Sequence, residues 1–207
     1  MNRLQFFDSI PALSQTNRQR IQWAYTIAKR WHEGQTRDTD ERYFEHVRAV
    51  ATVLIDHDYT DADYIIVAIL HDALEDTNIS LSMIEQLFGP DIARDVLTLS
   101  KVYGIEDPLT GHVTPSAKRE KAVYFEAIKR RGKRVVIVKS ADRCHNLSDL
   151  ATGTAGSRWT PEKRLSQVEE TRTWILPLTM MHDPRLAEKL EALCTLIETK
   201  ARQELGA

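Results

Sequence analysis

Apolar residues recur along this chain at the three- and four-residue spacing of an α-helix. The first clear helix ends at Gly34, and its apolar face consists of Ile21, Ala24, Tyr25, Ala28 and Trp31. A second helix is predicted near His46, with an inner face of Val47, Val50, Ala51 and Leu54. The stretch from Tyr64 to Leu70 is apolar on all sides, which predicts a central, buried helix.

Capping and turn residues divide the rest of the chain into further helices. Either Ser80 or Ser82 begins one of them, and Gly89 with Pro90 interrupts it. Later helices are predicted over residues 116–131, 134–150, 160–181 and 184–204. Pro177 should kink the third of these, because proline has no backbone N–H to donate. Between residues 103 and 115 the helical period lapses, which predicts a long loop.

One segment is ambiguous between helix and strand. The β-branched run at residues 135–138 could form a buried strand. We favour a helix, because no second strand pattern is present to satisfy the backbone of the first. No repeat, low-complexity tract or linker divides the chain. The sequence therefore predicts a single all-α domain over residues 1–207, with about eight or more helices.

The charge balance is close to neutral. The 207 residues include 28 Lys and Arg against 30 Asp and Glu, a formal net charge of −2. This balance argues against a nucleic-acid polymer as partner, and no apolar run reaches the ~18 residues of a membrane span. Cys144 and Cys194 stand 50 residues apart, which indicates neither a zinc knuckle nor a disulfide framework. Because the start of the chain shows no targeting signal, we expect a cytoplasmic protein.

Four polar side chains directly follow the most apolar segment, and they are His71, Asp72, Glu75 and Asp76. Burying an ionised carboxylate is unfavourable unless it is paired, hydrogen-bonded or bound to metal. Helical spacing would place His71 near Glu75, and Asp72 near Asp76. Taken alone, a His-Asp dipeptide is more often the solvated last turn of a core helix. Residues elsewhere in the chain favour a site instead.

Those residues are His46 on the preceding helix, and Asp142 with Asn146 at the polar end of the apolar run 135–138. Two imidazoles and two carboxylates from three helices would suit a divalent cation such as manganese, iron or zinc. Four protein ligands in an octahedral shell leave positions for water and substrate, as a hydrolytic metal requires. The two spare carboxylates, one turn further on, would orient water or move protons.

The order and spacing of these residues resemble a known signature. The succession His46, His71-Asp72 and Asp142 is similar to the H…HD…D pattern of the HD-domain metal-dependent phosphohydrolases. Residues 71–77 and 139–146, which read HDALEDT and KSADRCHN, resemble the (p)ppGpp hydrolase domain of stringent-response enzymes, in particular the stand-alone small alarmone hydrolases. The resemblance covers about residues 20–180. No HExxH, GxxxxGK[ST], GxGxxG or GxSxG motif competes with it.

The resemblance implies a role for each matching residue. A single manganese ion would be held by His46, His71, Asp72 and Asp142, and the sequence leaves iron and zinc open. The catalytic pair acting on the attacking water would be Glu75 and Asp76. Arg37 would pack on the guanine base, and the other nucleotide contacts would come from Lys121, Lys139, Arg143 and Asn146.

The implied activity is hydrolysis of the 3′-diphosphate of guanosine tetra- or pentaphosphate, which releases pyrophosphate and leaves GDP or GTP. The expected partner is a small phosphorylated nucleotide, and both a monomer and a homodimer are compatible with the sequence. No second domain is long enough to add a synthetase, so hydrolysis alone is expected. Two alternatives stay open: an HD phosphohydrolase acting on another nucleotide, and a non-catalytic nucleotide-sensing module.

The chain departs from the family pattern at three positions. Asp38 stands where the family usually has lysine, which is unfavourable beside a polyanionic ligand unless Asp38 turns outward or pairs with a basic side chain. Arg42 and Val47 replace two prolines, which affects local rigidity more than chemistry. The remaining histidines are expected to be structural or exposed, namely His32, His57, His112, His145 and His182.

Overall fold

The computed structural model describes residues 2–11, 13–38, 41–106, 113–118, 120–154, 156 and 158–206. Its helices in chain order are α1 (Arg3–Ser9), α2 (Gln15–Trp31), α3 (Tyr43–Asp56), α4 (Ala62–Leu70), α5 (Ala73–Asp76), α6 (Leu81–Phe88), α7 (Pro90–Leu99), α8 (Lys121–Arg131), α9 (Lys133–Thr152), α10 (Pro161–Glu170), α11 (Leu176–Met180) and α12 (Pro184–Leu205). A π-helical turn, Thr171–Ile175, joins α10 to α11. Helices dominate the structure, and the all-α prediction is confirmed.

The long loop predicted over residues 103–115 is wrong at both of its ends. Two antiparallel strands pair with each other there, β1 (Val102–Glu106) and β2 (Val113–Lys118). A short hairpin has no helical period, and two strands of this length do not stand out from a loop in a single sequence. The middle of the predicted loop, residues 107–112 with His112, lies outside the described residues.

Helix α4 lies at the centre of the fold, as its continuous apolar sequence predicts. Ile65, Ile66 and Leu70 are fully buried. The helix packs against α2 and α3 on one side and against α7 and α9 on the other. All residues of α4 from Ile65 to Leu70 are buried, so the polar residues after this stretch come where the helix ends.

The starts of two helices refine the sequence prediction. Ser80, rather than Ser82, caps α6, and its hydroxyl oxygen accepts a hydrogen bond of 3.1 Å from the backbone N–H of Met83. Helix α8 begins at Lys121 instead of residue 116, because strand β2 extends to Lys118. Gly132, at φ 101°, separates α8 from α9, a backbone conformation that glycine adopts without strain.

Residues 135–138, which the sequence left ambiguous, are helical, so that prediction is confirmed. They form the buried first half of α9, which packs against α3 and α12. Asp142 and Asn146 follow on the same helix. Helix α9 therefore places these two polar residues close to the point where α4 ends.

The segment predicted as one kinked helix over residues 160–181 is divided into α10, the π-helical turn and α11. The turn ends two residues before Pro177. Proline cannot donate to the helical ladder and its ring crowds the preceding turn, so a wider turn at this place relieves the clash. The predicted interruption therefore takes the form of a π-helical turn.

A single cluster of buried apolar side chains extends from α1 to α12. Cys144 and Cys194 are both buried within it, as free thiols. Leu186, Leu190 and Ile197 of α12 are buried in the same cluster, so this face docks on the core of its own chain. Across the described ranges, no helix combines the length and the apolar composition of a membrane span.

Candidate functional site

The structure brings together two histidines and one aspartate that the sequence predicted as metal ligands. His46 lies on α3, His71 directly follows α4, and Asp142 lies on α9. All three side chains are buried, and their ligand atoms lie within 4.8 Å of one another. Nε2 of His46 is 3.4 Å from Oδ1 of Asp142, and Nε2 of His71 is 3.8 Å from the same oxygen.

Asp72, the fourth predicted ligand, joins this cluster. Its Oδ2 lies 3.0 Å from Nε2 of His71 and 3.6 Å from Nε2 of His46. The sequence placed His71 and Asp72 on one continuous helix, but α4 ends at Leu70 and α5 begins at Ala73. The short break turns both side chains towards α3 and α9.

The hydrogen bonds of His71 fit a metal ligand. Its Nδ1 lies 2.8 Å from the carbonyl oxygen of Ala68, which can only accept, so Nδ1 carries the donated proton. Its Nε2 is buried and, within the described part of the chain, has no hydrogen bond of acceptable geometry, although Asp72 is close. Metal-bound histidines characteristically donate one ring nitrogen to a carbonyl and offer the other to the ion. Together with the carboxylates of Asp72 and Asp142, Nε2 of His46 and Nε2 of His71 fit a divalent metal ion.

The electrostatics of the cluster also favour a cation. Burial alone would lower the pKa of His71, but the charges of Asp72 and Asp142 outweigh it and raise the pKa to about 10. Burial alone would raise the pKa of both aspartates, yet both values lie well below the usual range. The opposing charge is mainly that of His71 for Asp72 and that of Lys139 for Asp142. A buried pair of ionised carboxylates requires a compensating positive charge.

Tyr43 is a site residue that the sequence analysis missed. Its hydroxyl oxygen lies 2.6 Å from Oδ2 of Asp72 and 2.5 Å from Oδ2 of Asp76. The ring of His32 stacks on it, with the ring centroids 4.9 Å apart. Burial and the neighbouring carboxylates raise the pKa of Tyr43, so the phenol stays protonated and donates. The available signal was its position three residues before His46, on the same helical face.

The two predicted catalytic carboxylates line the cavity that opens beside the cluster. Burial, and then the charge of Asp72, raise the pKa of Asp76 to about 6. Glu75 accepts a hydrogen bond of 3.0 Å from the backbone N–H of Lys101, just before strand β1. The ammonium group of Lys101 lies 3.7 Å from the other oxygen of Glu75. The pKa of Asp76 therefore suits a general base, and Glu75 is held in place by Lys101.

His145 was expected to be structural or exposed, but it contacts a candidate ligand. Its Nδ1 lies 3.0 Å from Nδ1 of His46. Burial lowers the pKa of His145 to about 4, so its ring is neutral and its Nδ1 can accept a hydrogen bond from Nδ1–H of His46. That bond leaves Nε2 of His46 facing the carboxylates. The sequence offered no signal for this contact, which joins residues 99 positions apart.

The cavity has a volume of about 500 Å³, which is in the range of small-molecule sites. The five residues predicted to bind the nucleotide all line it, and they are Arg37, Lys121, Lys139, Arg143 and Asn146. Trp159, Tyr124 and Phe125 add aromatic surface. The structure therefore places the basic side chains, the carboxylate pair and the metal cluster around one space.

One chain of hydrogen bonds leads from Arg37 to the metal cluster. The Arg37 guanidinium donates to Oδ1 of Asn146 over 2.6 Å and forms an ion pair with Asp149. The amide nitrogen of Asn146 in turn donates to Oδ1 of Asp142 over 2.6 Å. Lys139 is buried and donates to the other oxygen of Asp142 over 2.7 Å. Asn146 and Lys139 thus orient the ligand Asp142 and also line the cavity.

Two further basic residues converge on Glu170, which the sequence analysis did not single out. The ammonium group of Lys121 lies 2.6 Å from Oε2 of Glu170. The guanidinium of Arg143 forms an ion pair with Oε1 of Glu170 and donates to Gln167. Burial alone would raise the pKa of Glu170, but the two cations lower it. Nothing in the charged sequence of α10 distinguishes this glutamate from its neighbours.

Asp38, the anion at the position where the family usually has lysine, is paired in the structure. Its carboxylate forms an ion pair with Arg158, from the segment between α9 and α10. The two chain segments are in close contact, because a Cβ atom on Gly156 would lie only 2.9 Å from the backbone oxygen of Asp38. Asp38 therefore lines the cavity as one half of an ion pair rather than as a free anion.

Comparison with known proteins agrees with this geometry. Residues 24–168 match a family described as HD domain. The bifunctional (p)ppGpp synthase/hydrolase SpoT of Escherichia coli (strain K12) is 33% identical over 177 residues, which cover 83% of this chain and 24% of that protein. The GTP pyrophosphokinase rsh of Brucella melitensis is 33% identical over 177 residues, which cover 82% of this chain and 21% of that protein. The chain spans about a quarter of the length of these curated relatives.

A solved structure has a similar fold. It was reported for a metazoan orthologue of SpoT that hydrolyses ppGpp and plays a role in starvation responses. Its sequence is 25% identical to this chain, and the superposition covers 84% of this chain and 93% of that one with a TM-score of 0.68. The family match spans all four clustered candidate ligands and most of the described helices. This chain therefore belongs to the HD domain family.

Proposed function

We propose that this chain hydrolyses the 3′-diphosphate of guanosine tetra- or pentaphosphate, with release of pyrophosphate and formation of GDP or GTP. One observation carries the proposal: a cluster that favours a cation, a pair of carboxylates and several basic side chains surround the same cavity. Relatives that share about a third of their aligned residues with this chain are named for (p)ppGpp hydrolysis. A phosphorylated nucleotide is the ligand class that this combination of charges fits.

The proposed ion is manganese, held by His46, His71, Asp72 and Asp142. When bound, a divalent ion polarises a phosphoryl oxygen and lowers the pKa of coordinated water. Imidazole and carboxylate ligands also suit iron and zinc, which metal analysis of the purified protein separates from manganese. A protein that neither contains nor takes up stoichiometric metal would instead support the non-catalytic sensing module.

Asp76 is the proposed general base. Its pKa of about 6 lies close to neutral pH, where a base is both ionised and able to accept a proton. Glu75, which accepts a hydrogen bond from the Lys101 backbone N–H, orients the attacking water. Tyr43 donates its single proton to Asp72 or Asp76 and so couples the base to the metal cluster. A sensing module would have no use for this carboxylate pair.

The nucleotide is proposed to lie along the cavity, with its base at Arg37 and its phosphates at the other basic side chains. Arg37 offers a flat guanidinium, fixed by Asp149 and Asn146, against which a base can stack. Lys121, Lys139 and Arg143 supply positive charge for the phosphates. The Asp38–Arg158 ion pair removes the free anion that would have favoured a substrate with less negative charge. This pairing supports the alarmone over another nucleotide.

The remaining parts of the proposal rest on the sequence. We treat residues 1–207 as one hydrolase domain, and we place the protein in the cytoplasm because its two cysteines are free thiols. No nucleic-acid polymer is proposed as partner, since the formal net charge is −2. Both a monomer and a homodimer are compatible with this function.

The experiment incubates the purified chain and manganese with ppGpp and measures pyrophosphate release. We expect release by the wild type, and loss of at least about 100-fold in Asp72→Ala and Glu75→Ala. Asp56→Ala, an exposed aspartate at the end of α3, is the matched control and should leave the rate unchanged. No release by the wild type, or undiminished release by the two site variants, would contradict the proposal. A panel of other 3′-phosphorylated nucleotides tests the alternative substrate.

A further inference from the structure

We propose that Glu170 is an internal counter-anion, which pairs with two cations of the cavity, Lys121 and Arg143, and which the phosphates of the ligand displace from them. This inference rests on the proposed function for the identity of the ligand, but it concerns any pyrophosphate group that enters the cavity. It assigns Glu170 a role in setting the affinity for substrate and product. Three observations support it.

The first observation is that each oxygen of the Glu170 carboxylate pairs with a different cation. Oε2 of Glu170 lies 2.6 Å from the ammonium group of Lys121, and Oε1 pairs with the guanidinium of Arg143. These cations come from different helices, α8 and α9, while Glu170 ends α10. A bridge between two cations from separate elements is the arrangement that a phosphate oxygen pair would adopt at the same place.

The second observation is the difference in exposure between the partners. The Lys121 side chain is 63% exposed, whereas that of Glu170 is 14% exposed. An exposed lysine gains little free energy from an isolated surface ion pair. The Lys121 ammonium group nevertheless contacts the cavity wall, where the mostly buried carboxylate of Glu170 attracts it. The carboxylate therefore keeps an exposed cation at the cavity, where a ligand phosphate would need it.

The third observation is the unused hydrogen-bonding capacity of Arg143. Gln167 and Glu170 accept from its two terminal nitrogens. Its Nε is buried and has no hydrogen-bond partner among the residues that the structure describes. Buried donors are satisfied in most folded proteins, and an orphan donor beside a cavity is a position where a ligand oxygen or water can bind. The guanidinium is thus positioned by Glu170 but not saturated by it.

These contacts define how the charge changes when a ligand binds. Lys121, Arg143 and Glu170 together carry a charge of about +1, because one anion offsets two cations. An entering phosphate must displace the carboxylate or bind beside it against like-charge repulsion. After hydrolysis, the carboxylate competes with pyrophosphate for the same cations. Glu170 therefore weakens the binding of pyrophosphate and promotes its release.

The test measures the binding of pyrophosphate by calorimetry to the full chain, before and after loading with one manganese ion per chain. Under the inference, Glu170→Gln keeps the shape of the side chain, removes its charge and lowers the Kd for pyrophosphate about tenfold. Glu170→Asp keeps the charge on a shorter side chain and should not bind more tightly than the wild type. Glu169→Gln is the matched control, because the adjacent glutamate is exposed and does not line the cavity.

A purely structural role for Glu170 predicts the opposite result. If the carboxylate only held Arg143 in place, Glu170→Gln would bind pyrophosphate more weakly and unfold at a lower temperature. Unchanged or weaker binding by Glu170→Gln, or binding by none of the chains, overturns the inference. Should Glu170→Gln not fold, the carboxyl carbon resonance of Glu170 in the wild type must shift when pyrophosphate is added, and no shift overturns the inference as well.

The outcomes separate this inference from the proposed function. Pyrophosphate binding requires no turnover, so the effect of Glu170→Gln can appear in a chain that hydrolyses no ppGpp. In that case only the proposed function fails. If ppGpp is hydrolysed but Glu170→Gln does not bind pyrophosphate more tightly, only the inference fails.

Discussion

The hydroxyl oxygen of Tyr43 lies 2.6 Å from Oδ2 of Asp72, and the same oxygen lies 2.5 Å from Oδ2 of Asp76. A phenol has one proton, so it donates to one of these carboxylates at a time. Burial and the charge of Asp72 raise the pKa of Asp76 to about 6. The hydroxyl thus links the candidate metal ligand to the candidate base through one shared proton.

Removing this hydroxyl should impair catalysis more than folding. Tyr43→Phe keeps the ring on His32 but leaves Asp72 without its donor, and we expect kcat to fall about 10- to 100-fold. Metal affinity, measured by calorimetry, should fall by a similar factor, because loss of a hydrogen bond to a ligand weakens metal binding. Tyr64→Phe, an equivalent change on α4 and away from the cavity, should leave both quantities unchanged. A Tyr43→Phe enzyme with wild-type kcat and metal affinity would refute the role of the hydroxyl.

Metal binding should release a proton from His71. Its pKa of about 10 in the cluster means that the side chain is protonated at neutral pH before an ion binds. The ion must displace that proton, so metal affinity should rise about tenfold for each pH unit between pH 6 and 8. Calorimetry in two buffers of different ionisation enthalpy counts the protons released. An affinity that does not change with pH would contradict a protonated His71.

The same pKa predicts how pH affects the stability of the metal-free protein. Because the folded pKa of His71 is raised above the unfolded value of about 6.5, its stabilising contribution is complete below that value. The contribution should be lost as the pH rises from there towards 10. Urea unfolding of metal-free protein at several pH values measures this loss. Stability that increases over this interval would exclude a dominant contribution from His71.

The Asp38–Arg158 ion pair should matter for the substrate rather than for the fold. Arg158→Gln leaves the Asp38 carboxylate unpaired on the cavity wall, and we expect KM for ppGpp to rise about three- to tenfold with kcat unchanged. The change in free energy of unfolding should stay below about 1 kcal/mol, as for other exposed pairs. The double variant Asp38→Asn with Arg158→Gln should restore KM, since it removes both charges. If the double variant binds as weakly as Arg158→Gln, the effect does not come from Asp38.

A buried ion pair far from the cavity provides a contrasting prediction for stability. Asp95 on α7 is 2% exposed. Its Oδ1 lies 2.5 Å from Nε of Arg131, and its Oδ2 lies 2.5 Å from Nε of Arg134. Asp95→Asn should lower the free energy of unfolding by about 2–3 kcal/mol, because it removes the buried negative charge that both guanidinium groups contact and leaves them only their more distant partners, Asp91 and Asp63. Asp91→Asn, which removes an exposed partner of Arg131, should change it by less than about 1 kcal/mol. Urea titration measures both, and equal effects would contradict this explanation.

The helical period was sufficient to predict the parts of the fold that bury one face or all faces. It predicted α2, α3 and α4, and it favoured a helix for the β-branched start of α9, because each packs a continuous apolar surface into the core. It did not predict strands β1 and β2, whose pairing is with each other and leaves no repeating pattern in the chain. Hydrogen bonds between short strands are not encoded in the spacing of apolar residues.

Some residues of the candidate site can likewise be predicted from the sequence, and others cannot. His71, Asp72 and Asp142 were found because polar residues at the ends of apolar helices are conspicuous. His145 and Glu170 were missed because their importance arises from contacts between helices that are distant in sequence. His145 contacts His46 across 99 positions, and no local pattern records such a contact. Side chains that support a site are therefore harder to predict than those that form it.

The π-helical turn Thr171–Ile175 has a consequence for the arrangement of α10 and α11. Each residue of a regular helix rotates the chain by about 100°, so a turn that holds one extra residue shifts the phase of everything after it. Gln167 and Glu170 face the cavity before the turn, while Ile175 and Thr179 face the core at and after it. Deleting one residue from the turn would restore a regular helix and rotate these two groups against each other. The wide turn therefore sets the angular offset between the cavity-lining residues of α10 and the buried residues of α11.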